Sequence, residues 1–329
     1  MLTLWMSLAL AADPVVIAHR GAPAYLPEHT LAGKALAYGM RPDFIEQDLV
    51  MTADDVVIVL HDRYLDRVTD VATRFPGRAR ADGRFYAMDF TLAEIRTLEA
   101  STGFKPGPDG PEPLRPNRFP IGTSTFRIPT FEEEIELIAG LNRTLGHDVG
   151  LYPEIKSPAF HRAAGKDISM AVLQILKRHG YTQRTHRIHL QVFDHDELVR
   201  IHDELMPGLQ MDLKLVQLMP VTEGGTLDEV KPAKRLAAIA RVADGIGPWM
   251  GQLVDPASKP GALTQSTLVR DAHRLGLVVH PYTFRSDPDQ IPGYAADFPA
   301  LVRLFRDEVG VDGLFTDMPD QVRAVLDAK

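Results

Sequence analysis

The sequence predicts an α/β protein built as a single (β/α)8 TIM barrel, with a long insertion after the third strand. Short apolar segments bounded by turn-forming residues alternate with helical segments along the chain, which is typical of parallel strands covered by helices. Eight or nine such segments fit within the 329 residues, and this number favours a closed barrel over an open sheet. Ionisable residues stand at the ends of successive apolar segments, where a barrel of this kind has its active site.

Eight apolar segments are each predicted to be a buried strand, because they are short and bounded by turn signals. In chain order they are Val15–Ala18, Phe44–Leu49, Val56–Leu60, Leu151–Ile155, Ile188–Val192, Leu213–Leu218, Leu277–Tyr282 and Gly313–Phe315. Gly245–Gly247 is a weaker ninth candidate, so one of the nine is expected not to be a barrel strand.

Helical segments are predicted between most of these strands. They are Thr30–Tyr38, Phe131–Leu141, Ile168–Arg178, Asp194–Glu204, Pro232–Val242, Thr264–Leu275 and Phe298–Val309. Two connections depart from the alternation. Met51–Asp55 is too short for a helix, and Asp62–His147 contains the Pro- and Gly-rich stretch Phe104–Arg118 and no clear barrel strand. We therefore predict a barrel domain over 13–329 with an insertion at about 62–147, which covers the barrel mouth and selects substrates.

The N-terminal segment 1–12 predicts either an export signal or a structured extension. Leu2–Leu10 is apolar, and Ala9-Leu10-Ala11 has the small-x-small pattern of a signal peptidase site. A periplasmic or otherwise exported location is the expectation, with a cytoplasmic one as the alternative. No later segment reaches the ~18 consecutive apolar residues of a membrane span.

Composition excludes several classes of function. The net charge is −8 and no basic run exists, which argues against a nucleic-acid partner. The absence of cysteine excludes disulfides, thiolate catalysis and Cys-based zinc sites. An anionic small-molecule substrate remains compatible with this charge if a metal and a few cations are placed locally. The oligomeric state stays open.

Three carboxylates predict a metal site. Glu46 and Asp48 lie two apart on one predicted strand and therefore point to the same face. Alone, this pair is equally compatible with salt bridges or a solvated edge strand. Glu154 adds a third carboxylate at the same level from another strand, and oxygen ligands select a hard cation. One divalent cation is expected, with Ca²⁺ favoured over Mg²⁺.

His19 and His61, which end two apolar segments, are predicted to transfer protons, since a histidine can both take and give a proton near neutral pH. Arg20 and Lys156 neighbour the acidic residues and are predicted to bind phosphate, or to neutralise the carboxylates. Most other histidines are interpreted as surface or structural residues, although His280 lies within a predicted strand.

Several motifs together resemble the glycerophosphodiester phosphodiesterase family, in matching order from about Val15 to the C-terminus. They are AHRG (Ala18–Gly21), PEHT (Pro27–Thr30), EQDL (Glu46–Leu49), LHD (Leu60–Asp62), PEIK (Pro153–Lys156) and LFTDMP (Leu314–Pro319). The similarity is greatest to the exported bacterial branch, although the stretch Pro220–Lys234 looks shorter than its counterpart there.

The resemblance implies a TIM barrel that hydrolyses deacylated phospholipids to sn-glycerol 3-phosphate and an alcohol. It implies His19 and His61 as the acid/base pair, Glu46, Asp48 and Glu154 as metal ligands, and Arg20 and Lys156 as phosphate contacts. Glu28 and Phe284 are expected to bind substrate, and Gln191, Tyr282 and Asp317 to line the site.

Two alternatives remain. One is a phospholipase D-like enzyme of the same barrel superfamily, which would act on lysolipids. The other is a non-catalytic barrel that binds phosphodiesters. The two histidines argue against the second alternative, because a binding protein needs charge but no proton transfer.

Overall fold

The computed structural model describes residues 13–108, 110–221 and 233–328. The predicted N-terminal segment 1–12 and most of the stretch 220–234 lie outside these ranges. Eight parallel strands form a nearly closed barrel, which confirms the predicted fold class. Within the described ranges, no helix combines the length and the apolar character needed to cross a membrane.

Eight of the eleven described strands form the barrel, and they follow one another around it in chain order. In chain order they are β1 (Val15–Ala18), β2 (Phe44–Met51), β3 (Val57–Val59), β4 (Phe104–Gly107), β5 (Gly110–Pro113), β6 (Gly150–Ile155), β7 (His189–Val192), β8 (Lys214–Leu218), β9 (Gly245–Gly247), β10 (Val278–Val279) and β11 (Gly313–Thr316). The barrel order is β10-β9-β8-β7-β6-β2-β1-β11, while β4 and β5 form a separate hairpin. The N–H of Asp312 donates to the carbonyl of Val279 (3.0 Å), which brings the two end strands together.

Of the nine predicted strands, the one that lies outside the barrel is β3, not the glycine-rich β9. β3 pairs antiparallel with β2, with Val50 opposite Ile58, so the third predicted strand is a hairpin arm. The weaker candidate Gly245–Gly247 is a barrel strand. Its glycines are required by packing, because a Cβ at Gly245 would lie 2.6 Å from Val278 Cγ2, and one at Gly247 would lie 2.6 Å from Leu218 Cδ2.

Helices cover the outside of the barrel. They are α1 (Leu31–Gly39), α2 (Val71–Arg74), α3 (Leu92–Ile95), α4 (Phe131–Leu145), α5 (Pro158–Ala163), α6 (Ile168–Arg178), α7 (His195–Arg200), α8 (Met206–Leu209), α9 (Ala233–Ala240), α10 (Leu268–Arg274), α11 (Phe298–Leu304) and α12 (Pro319–Asp327). Short 3₁₀ turns occupy Ala87–Asp89, Met250–Gln252 and Pro288–Gln290, and π-helical turns occupy Ile201–Leu205 and Phe305–Val309.

Local sequence explains where the longest of these helices begins and ends. Thr130 accepts a hydrogen bond from the N–H of Glu133, and the Glu133 side chain accepts one from the N–H of Thr130, which closes a capping box before α4. Gly146 ends the helix with φ 68°, a conformation that glycine adopts without steric cost. Helix α4 therefore lies inside the predicted insertion 62–147 but belongs to the outer helical layer, where it packs against α1.

The insertion has a hydrophobic core of its own. Phe90, Ile95 and Leu98 are fully buried there, together with Ile58 of β3. The chain returns from the insertion beside β3, since the N–H of Val59 donates to the carbonyl of Pro129 (3.0 Å). The insertion is thus packed against the β2–β3 hairpin, next to the carboxyl ends of the barrel strands.

Candidate active site

Three carboxylates meet at the carboxyl end of β2 and β6. Glu46 and Asp48 project from the same face of β2, and Glu154 stands opposite Asp48 in the pairing of β2 with β6. One oxygen from each of the three lies within 4.8 Å of the others. All three residues are buried, with exposed fractions of 3%, 1% and 5%. The structure therefore brings the predicted metal ligands together around a metal-sized space.

Hydrogen bonds alone do not compensate for the burial of three neighbouring carboxylates. Burial and the nearby Asp48 raise the pKa of Glu46 well above its usual value. Burial also raises the pKa of Glu154 to about 8, although Lys156 acts in the opposite direction. The buried Oδ1 of Asp48 has no hydrogen-bond partner within the described ranges. A buried carboxylate oxygen without a hydrogen bond, among three acids, fits a divalent cation. A bound cation would offset both the repulsion between the acids and the cost of burying this oxygen.

The two predicted acid/base histidines lie beside this cluster, and each is held by a carboxylate. His19 Nδ1 contacts Asp317 Oδ1 at 2.6 Å, and His61 Nδ1 contacts Asp62 Oδ1 at 2.8 Å. An ionised carboxylate only accepts hydrogen bonds, so Nδ1 carries the proton and Nε2 offers its lone pair. His19 Nε2 lies 4.0 Å from Glu46 Oε2. Both rings line the same cavity and can exchange protons with a molecule bound in it.

Burial keeps both imidazoles neutral near neutral pH. It lowers the pKa of His19 to about 4, with Arg20 acting in the same direction and Asp317 opposing. It also lowers the pKa of His61, again with a contribution from Arg20. Neutral imidazoles beside a cluster of acids are ready to accept a proton from a hydroxyl group.

The two predicted phosphate-binding cations also contact the carboxylates. Lys156 Nζ lies 2.9 Å from Glu154 Oε1 and 3.6 Å from Asp48 Oδ1. Arg20 Nη1 donates to Glu28 Oε2 at 3.0 Å, and the backbone N–H of Arg20 donates to Glu46 Oε2 at 2.7 Å. Both cations line the cavity, so neutralising the acids and binding an anion are compatible roles.

Phe284 is not a substrate contact, which corrects the prediction. It is fully buried and lies in the hydrophobic core, where its ring packs edge-on against Phe305 at 4.9 Å. The sequence places it close after a barrel strand, but a buried apolar residue there can point either into the barrel mouth or toward the outer helices. Tyr282, two residues earlier, does line the cavity, as predicted.

Sequence reasoning missed two buried contacts within the site. It placed Asp317 among the lining residues but did not recognise it as the partner of His19. It also assigned no role to His29, although His29 Nε2 contacts Asp48 Oδ2 at 2.8 Å. Burial lowers the pKa of His29 to about 3, so the neutral ring donates this hydrogen bond and orients the carboxylate. The sequence shows the motifs that contain Asp317 and His29, but it does not show which residues these two side chains contact.

Two adjoining spaces open at the barrel mouth. The main cavity has a volume of about 460 Å³ and contains the carboxylates and both histidines. Its far wall is largely aromatic, with Phe193, Trp249 and Tyr282. The second space, here called the arginine recess, has a volume of about 390 Å³ and is lined by Arg115, Arg118 and Arg285. His19 and Arg20 line both, so a molecule bound at these residues can extend into either.

Comparison with known proteins connects this geometry with one enzyme family. The model of the glycerophosphoryl diester phosphodiesterase family matches residues 19–321. A glycerophosphodiester phosphodiesterase from Haemophilus influenzae is 44% identical over 326 residues, covering 94% of this chain and 89% of that protein. One from Treponema pallidum is 36% identical over 325 residues, covering 94% and 91%.

Solved structures agree in fold. A Silicibacter pomeroyi chain described as a candidate glycerophosphoryl diester phosphodiesterase superposes with a TM-score of 0.69 at 26% identity, covering 96% of this chain and 94% of that one. An Oleispira antarctica phosphodiesterase, solved in complex with the product sn-glycerol-3-phosphate, superposes with a TM-score of 0.63 at 20% identity, covering 96% and 98%. At this second identity the likeness concerns the fold alone.

Proposed function

The chain belongs to the glycerophosphoryl diester phosphodiesterase family, and we propose that it performs the family's hydrolysis with one divalent cation bound by Glu46, Asp48 and Glu154. Its activity is that of a glycerophosphodiester phosphodiesterase. The observation that carries the proposed metal dependence is the convergence of three buried carboxylates around an unsatisfied oxygen of Asp48. Protein sites that hold Mg²⁺ use one or two carboxylates, so a set of three favours Ca²⁺.

The cation would supply a positive charge that stabilises the phosphoryl oxygens as their negative charge grows. Arg20 and Lys156 act in the same direction from the protein side. Arg20 presents a planar guanidinium and Lys156 a point charge, and both face the cavity beside the carboxylates. We infer that they hold the phosphate between the two histidines.

The histidines move the protons. One imidazole takes the proton of the glycerol hydroxyl next to the phosphate, and that hydroxyl oxygen attacks phosphorus. The other ring must carry a second proton, on Nε2, when the reaction begins, and it gives this proton to the departing alcohol oxygen. Water then opens the resulting cyclic phosphate, with the two proton transfers reversed, to give sn-glycerol 3-phosphate. Asp317 and Asp62 keep the protons of His19 and His61 on Nδ1, so that Nε2 of each ring is available for the transfer.

Size selection at the mouth is proposed as the task of the insertion. Leu114, Arg115 and Arg118 from the insertion line the recess beside His19. We propose that these residues narrow the approach to His19 for the whole diester, so that an acylated diester is too large to enter and a deacylated one is admitted. Release of glycerol 3-phosphate from glycerophosphocholine, with no hydrolysis of lysophosphatidylcholine, supports this proposal. Preferential hydrolysis of the lysolipid would favour the phospholipase D-like alternative.

The metal dependence is tested by glycerol 3-phosphate release from several glycerophosphodiesters, with and without a chelator. Chelation is expected to abolish activity, and Ca²⁺ to restore it better than Mg²⁺. Asp48→Asn should lose both activity and calorimetric cation binding. Asp66→Asn is the matched control, since Asp66 is ion-paired with Arg84 in the insertion, away from the carboxylates. Full activity in the presence of excess chelator would contradict the proposal.

A further inference from the structure

The arginine recess adjoins the catalytic groups but is chemically unlike the main cavity. The main cavity has aromatic and apolar walls beyond the carboxylates. Arg285 and Asp289 line both spaces, whereas Arg115 and Arg118 line the recess, together with the acids Glu28 and Asp317. A phosphodiester has two arms. When its phosphate lies at His19 and Arg20, one arm can lie in each space.

The three arginines of the recess differ in how closely they contact acidic residues. Arg118 contacts Asp287 at 2.8 Å and Asp317 at 2.6 Å, and Arg285 contacts Asp317 at 2.9 Å. Arg115 Nη1 lies 3.9 Å from both Asp287 and Asp289, beyond hydrogen-bond distance. Within the part of the chain that the structure describes, the Arg115 guanidinium is thus the least well bonded of the three, although its side chain is only 24% exposed.

Arg115 lies among both arginines and acids. Burial lowers its pKa, the neighbouring Arg285 and Arg118 lower it further, and Asp287 and Asp317 act in the opposite direction. Since Asp317 is already bonded to Arg118 and Arg285, a bound carboxylate would give Arg115 a partner of its own. The phosphate and the glycerol arm do not supply this partner, because the phosphate is served by Arg20 and Lys156 and glycerol carries no charge.

We propose that the arginine recess binds the alcohol arm of the substrate and recognises a serine head group, whose carboxylate pairs with Arg115 and whose ammonium pairs with Asp289. A guanidinium matches a carboxylate through two parallel hydrogen bonds. Asp289 is 72% exposed and stands next to Arg115, so the pair presents the two opposite charges that an amino-acid head group requires. This inference rests on the proposed function, since it names the preferred substrate of the same site.

Two substrates that differ by one group test the inference. Glycerophosphoserine and glycerophosphoethanolamine share the ammonium, and only the first carries the carboxylate. We expect Arg115→Gln to lower kcat/KM for glycerophosphoserine by about tenfold and to change that for glycerophosphoethanolamine by less than about twofold. Asp289→Asn should lower both by a similar, smaller factor, because both substrates carry the ammonium.

Arg74→Gln serves as the control, because Arg74 is an exposed arginine of the insertion paired with Asp70, outside the recess. It should leave the ratio of the two kcat/KM values unchanged. Equal losses on both substrates in Arg115→Gln, or no loss on either, overturn the serine assignment while the proposed function stands. If the wild type releases glycerol 3-phosphate from neither substrate, the proposed function fails and the inference fails with it.

Discussion

Two pairs of histidines lie at opposite ends of the barrel, His19 and His61 at the mouth and His189 and His280 at the base. Burial lowers the pKa of all four. His19 and His61, here called the mouth pair, differ from the two histidines at the base in what surrounds them. Each Nδ1 contacts a carboxylate, and each ring lines the main cavity.

At the base, His280 Nδ1 contacts the hydroxyl of Tyr152 at 2.8 Å, and His189 stacks on the Tyr152 ring at 5.0 Å. His189 Nδ1 has no hydrogen-bond partner among the described residues. Burial and a lowered pKa are therefore common to the histidines at both ends of the barrel. What separates the mouth pair is a carboxylate behind the ring and a cavity in front of it.

The comparison is tested most strongly by removing one ring at a time. His19→Ala and His61→Ala should each lower kcat by ~10²- to 10⁴-fold, the usual contribution of a general acid or base. The double variant should be little worse than the poorer single one, because both rings serve one proton-transfer sequence. His280→Phe, the control from the base, should change kcat by less than about threefold. Wild-type turnover by His61→Ala would show that His61 carries no proton in the reaction.

The carboxylate behind His19 provides a smaller but more specific test. Asp317→Asn should lower kcat by ~10- to 10³-fold with little change in KM, since the amide no longer fixes the tautomer of His19. Asp317 raises the pKa of His19, so its removal should move the acid limb of the pH–rate profile to lower pH. A loss of activity with an unmoved acid limb would indicate that Asp317 acts only on the packing of Arg118 and Arg285.

The two histidines at the base of the barrel, His189 and His280, should affect the stability of the protein and not its turnover. Burial lowers the pKa of His280 from 6.5 to about 4, so below pH 6.5 the unfolded chain binds a proton that the folded chain excludes. The free energy of unfolding should therefore fall as pH drops from 6.5 toward 4, by about 1.4 kcal/mol per pH unit for each such group. Urea titrations at several pH values should show a shallower fall for His280→Phe. An unchanged slope would mean that His280 is already protonated in the folded protein.

The smallest effect is expected at His189. Replacing it by Phe removes a buried polar atom without a hydrogen-bond partner and keeps an aromatic ring against Phe44 and Tyr152. The free energy of unfolding at pH 7 should change by less than about 1 kcal/mol, because the lost polar atom offsets the larger ring. Chemical denaturation measures this directly. A loss of several kcal/mol would show that His189 forms a bond that the packing alone does not reveal.

The carboxylate cluster could be predicted from the sequence because two simple rules govern it. Residues two apart on a strand share a face, and the carboxyl ends of parallel strands lie at one end of a barrel. Glu46, Asp48 and Glu154 follow from these rules without any knowledge of side-chain packing. The antiparallel pairing of β3 could not be predicted from these rules, because a short apolar segment has the same pattern in a barrel strand and in one arm of a hairpin.

The contacts of Asp317 and Arg118 could not be predicted for a different reason. Asp317 contacts His19 only because β11 pairs with β1, and the two residues are 298 apart in the sequence. Arg118 reaches Asp317 from an irregular part of the insertion, where no periodicity fixes the direction of a side chain. Phe284 was misplaced because a short apolar run does not reveal which way each residue faces.

The way in which the insertion is attached has an evolutionary consequence. The chain leaves for the insertion at the end of β3 and returns at Pro129 and Thr130, which pair with Val59 and Ile58 of that same strand. Its two ends are therefore fixed side by side, and lengthening a segment with fixed, adjacent ends costs little free energy, about 0.6 kcal/mol for each doubling. The segment between these ends can therefore be lengthened or replaced while β2, β3 and the carboxylate cluster keep their geometry. If this segment selects the head group, as proposed, that preference can change in evolution without a change in the groups that carry out the reaction.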